Sequence, residues 1–182
     1  MTEQAEPKRS AESVRERIKA AFPDSIFSGP ITGIDGEQQL YDERDDEGNP
    51  IYDEEQALYE TLRGKRWSEI PGAFIEIYSD CHLLLSDAAF AAYLPAWLSY
   101  SLTHEEVREL MVYAFSPESH ESMEGADHRL RRLTPLQIEA LREFLAYALD
   151  VTTSTFVKKE AFSAMAYITS IADLKSKQEL GG

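Results

Sequence analysis

Residues 83–102 read LLLSDAAFAAYLPAWLSYSL, and Asp87 is their single charged side chain. Phe90, Tyr93, Leu94, Trp97, Leu98 and Leu102 point in too many directions for one narrow apolar stripe. A helix apolar nearly all round must be covered on most sides, so this stretch is the predicted spine of an all-α domain. Ser86 is a good N-cap and sets Asp87 at the first helical position, where a carboxylate favours the positive end of the dipole. Pro95 removes a backbone donor in mid-pattern and predicts a kink, or a break into two half-helices. With Asp87 and Pro95 inside it, the stretch lacks the uninterrupted run of roughly 18 apolar residues that a membrane crossing needs.

Upstream, Val14, Ile18 and Ala21/Phe22 recur at four-residue spacing from Ser10 until Pro23 stops them, which predicts a first helix over 10–22. Asp53 opens a second helix, with Gln56 as capping-box partner and Ala57, Leu58, Thr61 and Leu62 facing inward. Gly64 ends it, with Lys65 and Arg66 where cations suit a helix C-terminus. Trp67 leads into a short helix, from Ser68 or Pro71 to Ser79, carrying Phe74, Ile75 and Tyr78.

Downstream, Thr103 and Glu106 match a capping box before a helix with Val107, Leu110, Met111 and Ala114 inside. Residues 115–133 are polar, with Pro117, Gly125 and the basic run HRLRR. Thr134-Pro135-Leu136-Gln137 combines an N-cap, a first-position proline and a third-position glutamine. Its helix runs to about Leu149 with Ile138, Leu141, Phe144, Leu145 and Ala148 inward. The last helix, from near Phe156 to about Lys175, presents Phe162, Met165, Ile168, Ile171 and Leu174. The expected architecture is one globular bundle of six to seven helices over 10–178, with a flexible tail at 1–9, an acidic loop region at 23–52 and a helical core at 53–178.

A chain of 182 residues with 43% apolar content is long enough for one domain with a sizeable core. The net charge of −15 and a pI near 4.6 set a field that repels phosphate backbones, so nucleic acid is excluded as a general partner. One cysteine, Cys81, rules out an intramolecular disulfide and fits a reducing compartment. The opening MTEQAEPKRSAES is polar and lacks the apolar core of a signal peptide, so a cytoplasmic location without membrane attachment is expected.

Charge is concentrated in one place. Between Asp35 and Glu60, eleven carboxylates face the single base Arg44, a balance of −10 out of the chain's −15. Crowded carboxylates repel one another unless something cationic offsets them. Tyr41, Ile51 and Tyr52 lie among them, and aromatic and apolar residues ringed by charge suit a protein-binding surface. Leu40-Tyr41 and Ile51-Tyr52 flank DERDDEGN as in a small hairpin, although a long loop satisfies the same pattern. The expected partner-binding residues are Tyr41, Asp42, Glu43, Asp45, Asp46, Glu47, Ile51, Tyr52, Asp53, Glu54 and Glu55. A calcium loop counted from Gly48 as its sixth position places Glu43, Asp45, Glu47 and Glu54 suitably. It fails on the glutamate at its first position, on Pro50 and on the missing entry helix.

His82, His104, His120 and His128 contain no pair at zinc-motif helical spacing, and there is no second cysteine. Asp80-Cys81-His82 are consecutive, so they diverge by some 100° on a helix and make a poor dyad; Cys81 reads as a small core residue. Two basic spots, Arg63/Lys65/Arg66 and Arg129/Arg131/Arg132, fit helix ends and surface pairing. No catalytic residue, metal ligand or cofactor is assigned.

Leu62-Arg63-Gly64-Lys65 with Trp67, Phe74, Tyr78, Asp80, Leu85-Ser86, Phe90 and Tyr93-Leu94-Pro95 resemble an uncharacterised bacterial family, domain of unknown function 6714. LTPLQIEALREFLAYAL resembles its downstream helix, so the likeness covers roughly 53–175 and sets the acidic segment largely before the shared core, as this protein's own addition. The resemblance implies no activity, cofactor or catalytic residue. The expected function is therefore binding: an acidic cytoplasmic protein that neutralises a basic partner, such as an immunity protein acting on an interbacterial toxin. An adaptor or regulatory module is the alternative, and a carboxylate- or metal-dependent enzyme using Asp80, His82 or the acidic segment stands behind both.

Overall fold

Ser86 joins two parts of the chain where the apolar stretch begins. Its hydroxyl accepts from Ala89 N at 3.2 Å, capping the helix, and donates to Pro30 O at 2.6 Å. Its backbone N–H donates to Ile31 O at 2.8 Å, and Thr32 and Leu85 form an isolated antiparallel bridge beside it. The incoming strand-like segment is thus pinned to the start of the predicted spine.

The computed structural model describes residues 9–32, 54–117 and 123–180, with backbone alone for 123–127 and 174–180. Among the described residues there are eight α-helices and no strand: α1 (Ala11–Ala21), α2 (Glu54–Leu62), α3 (Gly72–Ile77), α4 (Asp87–Ser101), α5 (Glu105–Ala114), α6 (Met123–Arg132), α7 (Pro135–Val151) and α8 (Thr155–Leu180). Short 3-10 turns lie at Trp67–Glu69 and Cys81–Leu84. The all-α expectation holds. The proposed hairpin between Leu40 and Tyr52 lies outside the described residues.

Helix α4 is the hub, touching α1, α3, α5, α6 and both 3-10 turns, while α7 and α8 pair with each other and close the bundle against α1 and α5. Tyr93, Leu94, Trp97 and Leu98 are wholly buried, as an all-round apolar helix requires. The helix runs unbroken through Pro95, which is itself buried. Packing of its neighbours on both sides offsets the cost of about 3 kcal/mol that a mid-helix proline carries. So the break into half-helices does not occur.

Caps fix most boundaries. Ser10 and Ser13 form a reciprocal box at α1, and Thr134 with Gln137 forms the predicted one at α7. Gly64 adopts φ 70°, a left-handed turn after α2 that other residues resist, and the Tyr93 hydroxyl donates to Leu62 O at 2.9 Å there. Gly72 is needed for space: a Cβ there would lie 2.6 Å from the Tyr100 ring. The box at Thr103 and Glu106 does not form. His104 is the N-cap of α5, and the Thr103 hydroxyl instead contacts Tyr100 O.

Three expectations about the helices change. Helix α6 occupies part of the stretch read as a polar linker, which raises the helix number above seven. On α5, Arg108 and Val112 are buried and Leu110 is exposed. On α8, Phe162 is 64% exposed, while Val157, Ala161, Ala164, Ile168 and Ile171 face the core. Small residues let α8 approach its neighbours closely, so alanines take the inner line that the larger Phe162 was expected to hold.

Candidate functional site

Burial organises the turn at Cys81–Leu85. Cys81 and His82 sit in the core, tucked against α2 and α4. The Glu54 carboxylate, at the start of α2, lies close enough to the Cys81 thiol to act on it electrostatically. Burial first, then the charges of Glu54 and Asp80, push the thiol up to about 12, so it stays protonated and unreactive as a nucleophile. His82 Nδ1 lies 3.0 Å from Ser79 O, which as acceptor assigns the proton to Nδ1. Burial, opposed by that hydrogen bond and helped by the Arg129 charge, drops the imidazole to about 4 and keeps it neutral. Its Nε2 is buried without a hydrogen-bond partner among the described residues. Thiol and ring thus engage different neighbours and form no dyad.

Three segments meet on this one turn. Thr32 bridges to Leu85, Glu54 reaches Cys81, and Arg129 Nη2 on α6 donates to Leu83 O at 2.6 Å. Thr32 and Glu54, the described residues on either side of 33–53, therefore both lie beside this turn. That brackets most of the acidic segment. Tyr41, Asp42, Glu43, Asp45, Asp46, Glu47, Ile51, Tyr52 and Asp53 lie outside the described residues, as do His120 and most of the calcium-loop positions. Of the expected partner-binding residues, Glu54 is exposed in the first turn of α2 and Glu55 is half-buried beside it.

Across the turn the sign of the charge reverses. Asp87, at the first position of α4, receives two guanidinium groups and an imidazole from the last turns of α6: His128 Nδ1 at 3.2 Å, Arg132 Nε at 3.3 Å and Arg129 Nε at 3.7 Å. The Arg129 guanidinium also lies over the Phe90 ring at 5.6 Å. Desolvation lowers its pKa against the pull of Asp87. This convergence escapes a reading of the sequence because it requires α6. Once residues 128–132 are helical, His128, Arg129 and Arg132 fall on one face at spacings of one, three and four residues.

Elsewhere, Glu160 is buried and accepts from the Ser116 hydroxyl at 2.5 Å, with Lys159 Nζ 3.6 Å from its other oxygen. At the other basic spot the Arg63 guanidinium lies over the Tyr59 ring at 5.3 Å, and the Arg66 backbone N–H, not its side chain, donates to Glu69 at 2.8 Å. Among the described residues no group of three His, Cys, Asp or Glu side chains is placed to hold a metal ion, and no helix is long and apolar enough to cross a membrane.

A family model described as Family of unknown function (DUF6714) matches residues 10–168, and the chain belongs to that family. The match begins at α1 and runs across the acidic segment, so that segment lies inside the family's span rather than before it. No curated protein and no solved structure matches significantly.

Proposed function

We propose that this member of DUF6714 is an acidic, cytoplasmic protein-binding module that neutralises a basic partner, in the manner of an immunity protein acting on a toxin delivered between bacteria. The observation that carries the reading is the concentration of −10 of the chain's −15 charge between Asp35 and Glu60. Such crowding is costly by self-repulsion, and a cationic partner relieves it on binding. Support also comes from the two attachments that bracket the segment, Thr32 at Leu85 and Glu54 at Cys81. Both attachments place the described flanks of the segment beside one turn of the packed body. A field of this strength also steers a basic protein toward the surface, raising association rates by about 10- to 1000-fold at low salt.

The test is co-expression with the product of the neighbouring gene, followed by size-exclusion chromatography at low and at high salt. Co-elution that weakens with salt is expected, and a toxic neighbour identifies an immunity pair. Neutralising Asp42, Glu43, Asp45, Asp46 and Glu47 together to their amides should weaken the association on the order of 100-fold, mostly through the on-rate. A complex indifferent both to salt and to these five substitutions would sink the proposal. The same losses with a non-toxic partner mark an adaptor.

A further inference from the structure

The cationic corner at Asp87 holds more charge than its structural task requires. Leu130 buries in the core beneath α6, and Arg129 ties the helix to the body through Leu83 O, the Phe90 ring and Asp87. His128 and Arg132 add a second layer outside it, 76% and 53% exposed. Both rest an inner nitrogen on the same oxygen, Asp87 Oδ2, at 3.2 and 3.3 Å. That shared anchor fixes their spacing and directs their outer ends away from the carboxylate. Neither residue has another hydrogen-bond or ion-pair partner among the described residues, so His128 Nε2 and the two terminal amino groups of Arg132 are free.

We propose that His128 and Arg132 form a binding point for a single oxyanion, a carboxylate or a phosphomonoester, on the outer side of Asp87. Two arginines on one carboxylate leave a surplus positive charge before His128 is counted. The planar guanidinium fork suits either oxyanion, since both accept paired N–H donors. With Nδ1 held on Asp87, the His128 ring keeps Nε2 on its outer side, next to the Arg132 fork. Among the described side chains, the charged groups around His128 are Asp87 from α4 and Arg129 and Arg132 from its own helix. A chain of net charge −15 repels nucleic acid and anionic membranes, which limits the ligand to one small anion or one acidic group on a larger molecule. The inference stands whether or not the acidic segment captures a basic protein.

The experiment is a titration of the 15N-labelled full chain with sodium sulfate and, separately, sodium acetate. Both anions are charged at pH 6, and chloride holds the ionic strength constant. The backbone amide resonances of His128 to Leu133 should shift and saturate in the millimolar range. Arg132→Gln should abolish saturation, and His128→Gln should weaken it several-fold. Saturation by sulfate alone assigns a tetrahedral oxyanion, and by acetate alone a carboxylate. A linear response to both salts, or a saturation that survives both substitutions, overturns the proposal.

Discussion

The two ends of α4 obey one electrostatic rule and reach opposite results. Helix dipoles favour anions at the N-terminus and cations at the C-terminus, and α4 carries its own Asp87 at one end and meets Arg108 of α5 at the other. At the C-terminal end the groups are shut away from water. Buried Arg108 points Nη1 at Ser101 O and Leu102 O, at 3.4 and 3.5 Å, and the Tyr147 hydroxyl donates to Leu102 O at 2.9 Å. At the N-terminal end His128, Arg129 and Arg132 gather on Asp87 with the outermost two in solvent. The same pairing stabilises where water is excluded and leaves a chargeable surface where it is not.

The largest expected effect probes the floor of the open end. His82 lies under it as a neutral imidazole, pushed from an ordinary 6.5 to about 4. Between these values the unfolded chain binds the proton that the folded chain refuses, so stability rises with pH across that window. The contribution is fully present above pH 6.5 and is lost as pH falls toward 4, by about 3 kcal/mol from the linkage of about 1.4 kcal/mol per unit. Urea unfolding at pH 7, 5.5 and 4.5 should show this decline in the wild type. It should be smaller by most of that amount in His82→Gln, which cannot titrate. Equal slopes in the two proteins would mean that water reaches the ring, and that the open end has no dry floor.

Next in size is the sealed end. Replacing Arg108 by Met keeps the apolar stem but leaves the Ser101 and Leu102 carbonyls short of a charged donor, at a cost of about 2 kcal/mol. Arg108→Lys should recover part of it, because the charge returns without the planar fork. Chemical denaturation at 0.1 and 0.5 M NaCl is the discriminating measurement. A buried contact should change little with salt.

The contrast also explains what a reader of the sequence can see. The core of α4 and the box at Thr134 and Gln137 are local patterns, and both formed. Pro95 is a local signal too, but tertiary packing overrode it. Helix α6 was hidden because MEGADHRLRR is nearly all polar, and its described apolar contribution to the core is Leu130, followed by Leu133 just beyond the helix. A helix held by so few apolar residues leaves little periodicity to detect. The basic cluster vanished with it, since Arg129 and Arg132 point the same way only on a helix. Phe162 and Leu110 were assigned to the core for their size, yet neighbouring alanines on α8 and valine on α5 took the inner faces. The acidic segment is legible as charge, and charge alone specifies no backbone.

The smallest expected effect decides whether the open end is open. Asp87→Asn removes the carboxylate on which two arginines and His128 converge, while Ser86 still caps the helix through Ala89 N. If these pairs are solvated, the loss is that of exposed ion pairs plus a helix-end charge, about 1 kcal/mol or less. Salt should already have removed much of it, so the difference between mutant and wild type should shrink at 0.5 M NaCl. A loss of 2 kcal/mol or more, unchanged by salt, would mean that Asp87 is sealed as tightly as Arg108. The two ends would then differ only in sign, and His128 and Arg132 would be structural ligands of Asp87 rather than donors held ready for another anion.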